Sequence, residues 1–286
     1  MGQTGRMTDA IATPHLSFHD GHSIPQLGLG VWQIDDDEAQ RVVSDAIEVG
    51  YRHIDTARIY KNEAGVGRAI AASGVPRDEL FITTKLWNSD QGRESARPVL
   101  EESLERLGLE QVDLYLIHWP SPKYGKHLES WQALIELRDA GLARSIGVSN
   151  FMQTHLDDLL AETDVVPVVN QIELHPAFQQ REQRAFQQQH GILTESWSPL
   201  GSGKYDLAEL PGFAAIAEHH NKSVQQIAIR WHLQEGLIVF PKTTRRERMI
   251  ENADVFDFEL SADEMATIAA CERDQRVGAH PLNTDF

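Results

Sequence analysis

The sequence predicts an α/β protein in which eight parallel strands close into a (β/α)8 TIM barrel. Short apolar runs of strand length alternate with amphipathic helical stretches, eight such pairs can be counted, and no Pro-, Gly- or Ser-rich linker interrupts them. Unbroken βα repeats favour a closed barrel over an open sheet split between two domains. We therefore expect residues 1–286 to form a single domain, with residues 1–14 as a flexible tail.

The elements follow in order along the chain. A β-hairpin is predicted over residues 16–25, because Asp20-Gly21 separates two short extended runs. Continuous apolar runs then predict barrel strands at residues 27–31, 51–54, 80–84, 112–117, 145–148, 168–172, 192–195 and 237–240. Apolar residues at helical spacing predict helices near residues 37–50, 62–73, 92–107, 127–140, 151–161, 179–190, 223–235 and 245–254. The capping box Ser261-Ala-Asp-Glu264 starts an additional C-terminal helix.

Composition excludes several classes of partner. With 43 acidic and 26 basic residues the formal net charge is −17, so nucleic acid and anionic membranes are not expected to bind, and an anionic ligand needs a local basic site. The single cysteine fits a reducing compartment, and no apolar run has the length of a signal peptide or membrane span. We expect a cytoplasmic monomer. Paired cysteines and His-Glu-x-x-His are absent, so no metal is expected.

Polar and aromatic residues follow the predicted strands, where a barrel builds its active site. Asp55, Tyr60, Lys85 and His118 form a chemically coherent set. A lysine ammonium favours the tyrosine phenolate and lowers the tyrosine pKa, a carboxylate compensates the buried ammonium, and a histidine can orient a carbonyl. Taken singly, the four residues also have structural interpretations, as an N-cap, a rim aromatic, a snorkelling lysine and a buried histidine.

Three segments resemble the signatures of the aldo-keto reductase family, over nearly the whole chain from about Leu16 to Pro281. The matching residues are Gly50-Tyr-Arg-His-Ile-Asp55-Thr-Ala with Tyr60, Glu63, Val66 and Gly67; Ser145-Ile-Gly-Val-Ser149-Asn150-Phe151; and Pro241-Lys242-Thr243 with Arg248, Glu251 and Asn252. Phe240 departs from the aliphatic residue that is usual in the family. The half-motif Gly65-Val-Gly67 lacks the third glycine of a dinucleotide fingerprint, and we interpret it as helix packing.

The resemblance implies a role for each matching residue. Tyr60 would donate the proton, Lys85 and Asp55 would tune Tyr60, and His118 would orient the carbonyl. The nicotinamide carboxamide would be held by Ser149, Asn150 and Gln171, with Trp197 stacked on the ring and Ser198, Leu200 and Gly201 along the pyrophosphate. Asn150 has an alternative interpretation as the N-cap of the next helix, with Gln153 three residues later.

A basic cluster points to the other end of the cofactor. Lys242, Arg245, Arg246 and Arg248 lie at the start of a predicted helix, where the helix dipole disfavours positive charge and an anion is stabilised. The resemblance places the 2′-phosphate of NADPH against Lys242, Thr243 and Arg248, with Glu251 and Asn252 completing the cofactor site. NADPH is therefore predicted over NADH. The alternative is a solvated basic face.

Six tryptophans separate into two groups. Trp131 and Trp231 fall in helical phase and are predicted to be core residues, whereas Trp32, Trp87, Trp119 and Trp197 follow strand ends. The strand-end tryptophans, with His118, are expected to wall the substrate pocket of a fairly open mouth.

The sequence is compatible with several functions. Among family branches the chain most resembles bacterial 2,5-diketo-gluconate reductases, notably over residues 195–207, and a keto-sugar acid, a small polar ketone or methylglyoxal would fit as substrate. The competing hypotheses are a catalytically weak NADPH-binding sensor and a barrel hydrolase or isomerase. A barrel hydrolase or isomerase needs a carboxylate pair at the strand ends, for which only Asp55 and Glu195 are available.

Overall fold

The computed structural model describes residues 10–283, and an N-terminal hairpin precedes its barrel. Strands β1 (His15–Ser17) and β2 (Ser23–Pro25) pair antiparallel and form the predicted hairpin. Its turn contains Gly21, whose φ of 92° is left-handed. Phe18 lies against Phe81 at the start of a barrel strand, with ring centroids 6.3 Å apart, and Ser145 Oγ donates to Asp20 Oδ2 at 2.7 Å. The hairpin therefore closes the end of the barrel at which the strands begin.

Eight parallel strands form the barrel, which confirms the predicted fold. They are β3 (Leu29–Gly30), β4 (His53–Asp55), β5 (Phe81–Leu86), β6 (Val112–Ile117), β7 (Ala143–Ser149), β8 (Val169–Glu173), β9 (Leu193–Trp197) and β10 (Ile238–Val239), hydrogen-bonded in chain order. Beside β3, Gly28 N donates to Val239 O and Val239 N donates to Gln26 O, each at 2.9 Å. These two bonds join the last strand to the first, so the sheet closes and all strand C-termini meet at one rim.

Ten α-helices are present within residues 10–283. They are α1 (Asp36–Val49), α2 (Glu63–Ala72), α3 (Ala96–Leu107), α4 (His127–Asp139), α5 (Gln153–Glu162), α6 (Arg181–Gln189), α7 (Phe213–His220), α8 (Val224–Gln234), α9 (Arg246–Ala253) and α10 (Ala262–Ala269). The predicted capping box of α10 is present, because Ser261 N donates to Glu264 Oε2 at 2.7 Å. Helix α7 is not predicted from the sequence, because its eight residues contain only about two turns of apolar spacing.

The two glycines Gly65 and Gly67 allow α2 to approach its neighbours closely. A Cβ on Gly65 would lie 2.2 Å from the carbonyl oxygen of Asp36, and a Cβ on Gly67 would lie 2.5 Å from that of Leu107. Both contacts are far shorter than normal van der Waals separations. The structure thus agrees with the interpretation of these glycines as packing residues rather than as a phosphate-binding loop.

The first residues that the structure describes contact the barrel. Residues 1–9 of the predicted tail lie outside the described range, whereas Ile11 N donates to Gly50 O at 3.0 Å and Thr13 Oγ1 accepts from Leu27 N at 3.1 Å. Residues 10–14 are therefore attached to the barrel. Among residues 10–283, no helix is long and apolar enough to cross a membrane.

Candidate active site

A buried ion pair between Lys85 and Asp55 lies at the centre of the rim. Asp55 ends β4, Lys85 lies on the adjacent β5, and Lys85 Nζ is 2.6 Å from Asp55 Oδ1 and 2.9 Å from Thr56 O. Burial by itself lowers the pKa of Lys85, but the negative charge of Asp55 and the hydrogen bond to it oppose burial, and the net pKa is raised. Lys85 therefore carries its positive charge at neutral pH.

Tyr60 and His118 lie beside this ion pair. Tyr60 ends the 3-10 helix Arg58–Tyr60. Lys85 Nζ is 5.3 Å from the centroid of the Tyr60 ring. The rings of Tyr60 and His118 meet edge to face, with centroids 5.7 Å apart. Burial raises the pKa of Tyr60, and Lys85 only partly opposes this effect. The prediction of a lowered pKa, which rests on Lys85 alone, is wrong because burial has the larger effect. The structure gives a protonated phenol with an ammonium next to it.

His118 is neutral in this environment. It follows β6, and burial together with the charge of Lys85 holds its pKa well below the usual histidine value. Its Nδ1 is buried and has no hydrogen-bond partner among the described residues. Its backbone is fixed on both sides, because His118 N donates to Leu86 O at 3.0 Å and His118 O accepts from Asn150 Nδ2 at 3.0 Å. The imidazole is thus a positioned neutral group.

Asn150 links the ends of three barrel strands, β6, β7 and β9. It follows β7 with a left-handed φ of 63°, a conformation that asparagine tolerates better than most residues. Besides its bond to His118 O, its Nδ2 donates to Ser149 Oγ at 3.0 Å and its Oδ1 accepts from Trp197 Nε1 at 2.8 Å. Helix α5 begins only at Gln153 and has Met152 at its N-cap, so the N-cap interpretation of Asn150 is wrong.

Gln171 connects Asp55 to a second carboxyl group. Its Nε2 donates to Asp55 Oδ2 at 2.8 Å and to Glu195 Oε2 at 2.9 Å, while Ser149 Oγ donates to its backbone oxygen. Glu195 is completely buried, and its Oε1 has no partner among the described residues. Burial first, and then the charge of Asp55, raise the pKa of Glu195 to about 8. Glu195 is therefore a neutral acid below that pH.

The basic cluster follows β10 at the same rim. Among residues 10–283, Lys242, Arg245 and Arg248 are exposed and have no carboxylate partner. Arg246, which the sequence reading included in the cluster, instead pairs with Glu48 at 2.8 Å and Asp45 at 3.3 Å on α1. The cluster of unpaired cations thus has three members rather than four.

The remaining predicted cofactor residues lie after β9, after β10 and on α9. Thr243 is buried, and its Oγ1 accepts from Arg245 N at 3.2 Å. On α9, Asn252 is buried, and the backbone oxygen of Glu251 accepts from Gln226 Nε2. The segment Ser198, Leu200 and Gly201 follows β9, with left-handed φ values of 53° at Ser198 and 73° at Gly201.

The strand-end tryptophans differ in their surroundings. Trp87 lies edge to face with His118, with centroids 5.2 Å apart, and the rings of Trp119 and Trp197 are 6.4 Å apart. Trp32 is 52% exposed. Trp131 and Trp231 are buried core residues, as predicted from their helical phase.

The C-terminal segment contributes a wall that the sequence reading missed. Glu173, fully buried at the end of β8, accepts hydrogen bonds from Val277 N and, at 3.0 Å, from Gly278 N. A Cβ on Gly278 would lie 2.3 Å from Trp197 Cη2, so this segment packs directly on the indole. The expected open mouth is therefore narrower on the side of Trp197. In the sequence, the signal for this contact is Glu173, a carboxylate directly after the apolar run of residues 168–172.

Comparison with known proteins agrees with this geometry. The model of the Aldo/keto reductase family matches residues 25–273, which is most of the chain. The protein belongs to the aldo-keto reductase family. An aldo-keto reductase of Mycolicibacterium smegmatis is 51% identical over 274 residues, covering 96% of this chain and 99% of the relative. Methylglyoxal reductase DkgA of Yersinia pestis is 51% identical over 268 residues, covering 94% of this chain and 96% of the relative.

Solved structures of aldo-keto reductases share the fold. The apo form of Gox0644 has a TM-score of 0.92 and 50% identity, covering 96% of this chain and 100% of that chain. A point mutant of Gox0644 in complex with NADPH gives the same TM-score and coverage.

Proposed function

We propose that this aldo-keto reductase uses NADPH to reduce small carbonyl compounds to alcohols. The observation that carries the proposal is the grouping of a protonated Tyr60, a charged Lys85 and a neutral His118 around Asp55 at the strand ends. A neutral phenol beside an ammonium is suited to donate a proton to an oxygen atom that gains negative charge.

Each of the four residues has a distinct task in this proposal. Tyr60 Oη donates its proton to the carbonyl oxygen, and Lys85 stabilises the phenolate that remains. Asp55 keeps Lys85 charged in a buried position, where an unpaired ammonium would lose its proton. His118 has a lowered pKa, so it orients the carbonyl as a neutral imidazole and leaves proton donation to Tyr60.

The chain also offers residues that fit a nicotinamide cofactor. Bound NADPH supplies the hydride. Ser149, Asn150, Gln171 and Trp197 would hold the nicotinamide end, and Ser198, Leu200 and Gly201 would line the path of the pyrophosphate. Both side-chain hydrogen bonds of Gln171 Nε2 go to carboxyl groups, so Gln171 would offer its amide oxygen to a donor on the cofactor.

The basic cluster fits the 2′-phosphate of NADPH. Lys242, Arg245 and Arg248 have no carboxylate partner within residues 10–283, in a chain with a net charge of −17. A dianionic phosphate would give these cations the counter-charge that the protein itself does not supply. Thr243 would add a hydroxyl group, with Glu251 and Asn252 completing the site. This is the basis for proposing NADPH over NADH.

For the substrate, we propose a small polar aldehyde or ketone such as methylglyoxal, or a keto-sugar acid such as 2,5-diketo-D-gluconate. Relatives that are about half identical to this chain are named methylglyoxal reductase. Trp87 and Trp119, together with the more exposed Trp32, would pack against the substrate next to His118.

A turnover assay tests this proposal. NADPH consumption would be followed with methylglyoxal, 2,5-diketo-D-gluconate and simple aldehydes, with NADH in parallel. We expect turnover that is faster at low cofactor concentration with NADPH than with NADH. Tight NADPH binding without turnover of any carbonyl would instead support the sensor hypothesis.

A further inference from the structure

Two histidines and one glutamate converge on the surface, away from the strand ends. His219 Nδ1 and His220 Nε2 each lie 2.9 Å from the same oxygen, Oε1 of Glu264. The three potential ligand atoms all lie within 4.8 Å of one another. Within residues 10–283, no other group of three His, Cys, Asp or Glu residues meets this condition.

The local fold fixes this arrangement. His219 and His220 end α7, and Glu264 lies in the first turn of α10, so the two helix ends face each other. The second carboxylate oxygen of Glu264 accepts from Ser261 N at 2.7 Å and from Ser261 Oγ at 2.9 Å. Hydrogen bonds of this kind orient a carboxylate and hold its other oxygen toward a ligand.

The two histidines differ in exposure and packing. The His220 ring packs against Phe258 with centroids 4.9 Å apart, and its side chain is only 13% exposed, whereas the His219 side chain is 73% exposed. One imidazole is therefore held in place, and the other can adjust its position.

We propose that His219, His220 and Glu264 bind a divalent transition-metal ion, with Zn²⁺ as the preferred ion. Two imidazole nitrogens and one carboxylate oxygen suit Zn²⁺, which is bound at about 2.0–2.2 Å by these ligands. Tetrahedral binding separates the ligand atoms by roughly 3.3 Å, so the 2.9 Å contacts need to open by a few tenths of an ångström. The exposed His219 can make that adjustment, and solvent can supply the fourth ligand.

The expected effect of the ion is to join α7 to α10. Sequence motifs do not reveal this site, because Glu264 is 44 residues from His220 and belongs to a different helix. Helix α10 leads into the segment that packs on Trp197 through Gly278. A metal at this position would therefore fasten the part of the chain from which the wall of the candidate active site extends.

The test measures thermal unfolding and Zn²⁺ binding with untagged, chelator-treated protein. Adding ZnCl₂ at about 100 times the dissociation constant is expected to raise Tm by roughly 5 °C, whereas MgCl₂ is expected to have no effect. Calorimetric titration is expected to give one Zn²⁺ per chain. His219→Ala, which removes an exposed side chain, should weaken Zn²⁺ binding at least about tenfold.

Two further variants sharpen the experiment. Glu264→Gln keeps a residue that is suited to the capping box but removes the charged ligand, so it should also lose Zn²⁺ binding. His190→Ala, a matched removal of an exposed histidine at the C-terminal cap of α6, should retain Zn²⁺ binding. An unshifted Tm with ZnCl₂, or binding that survives both His219→Ala and Glu264→Gln, would show that these side chains only hydrogen-bond to each other and would overturn the proposal.

Discussion

The carboxyl groups of Asp55 and Glu195 share one hydrogen-bond donor, because Gln171 Nε2 lies 2.8 Å from the first and 2.9 Å from the second. Asp55 also has Lys85 as a partner, whereas Glu195 Oε1 has no partner among the described residues. Two negative charges on carboxyl groups that accept from the same nitrogen are unfavourable in a buried site. Glu195 therefore carries the proton, and Asp55 carries the charge that holds Lys85.

The raised pKa of Glu195 makes stability depend on pH. At neutral pH an unfolded chain exposes an ionised Glu195, whereas the folded chain keeps this group protonated up to about pH 8. The contribution of Glu195 to stability is thus complete below the ordinary glutamate pKa and is lost as pH rises toward 8, at about 1.4 kcal/mol per pH unit. Glu195→Gln removes this titration and keeps an acceptor for Gln171.

We therefore expect the free energy of unfolding of Glu195→Gln, relative to that of the wild type, to increase by a few kcal/mol between pH 5 and 8 and then to level off. Chemical denaturation of both proteins across this range measures the difference, and other titrating groups cancel because both proteins contain them. A difference that does not change with pH would contradict the assignment of a neutral Glu195.

Removal of the charge on Asp55 should impair Lys85. In Asp55→Asn the buried ammonium loses its counter-ion, so burial lowers the pKa of Lys85 and less positive charge supports the phenolate of Tyr60. We expect kcat for carbonyl reduction to fall by about 10²-fold or more, with little change in NADPH affinity. Steady-state kinetics and a binding titration check this, and a loss confined to NADPH affinity would argue for a purely structural pair.

The phosphate assignment can be tested with two neighbouring arginines. Arg248→Ala removes a cation that has no carboxylate partner among residues 10–283, and it should weaken NADPH binding by about tenfold or more, with a much smaller effect on NADH. Arg246→Ala is the matched control, since Arg246 already pairs with Glu48 and Asp45. Equal losses for both cofactors, or equal losses in both variants, would refute a 2′-phosphate site at Arg248.

The contact between Gly278 and Trp197 predicts an effect on the substrate side. A methyl group at residue 278 would lie 2.3 Å from the indole, so Gly278→Ala must displace either the C-terminal segment or the ring. We expect a KM for the carbonyl substrate that changes severalfold, together with altered tryptophan fluorescence. An unchanged KM and spectrum would mean that the segment does not border the substrate.

The sequence was sufficient to predict features that depend on local patterns. The strand order, the hairpin turn at Gly21 and the placement of Asp55, Lys85 and His118 at strand ends all follow from apolar runs and from the rule that barrel strands end at one rim. Helix α7 was missed because it is short, and α3 begins at Ala96, four residues later than expected.

Features that depend on distant partners could not be predicted in this way. The pairing of Arg246 requires knowing that α1 lies beside α9, and the net pKa of Tyr60 requires knowing how deeply it is buried. Glu173 and Glu195 are single carboxylates at or near the ends of buried strands and carry no motif. Their roles became visible only from the groups that surround them.

In the proposed function, Tyr60 donates the proton in an NADPH-dependent carbonyl reduction. The most direct measurement compares Tyr60→Phe with the wild type, using methylglyoxal turnover and, separately, NADPH affinity from tryptophan fluorescence. We expect a loss in kcat of about 10²- to 10⁴-fold with NADPH affinity unchanged, because only the donated proton has been removed. Turnover near the wild-type rate in Tyr60→Phe would contradict it.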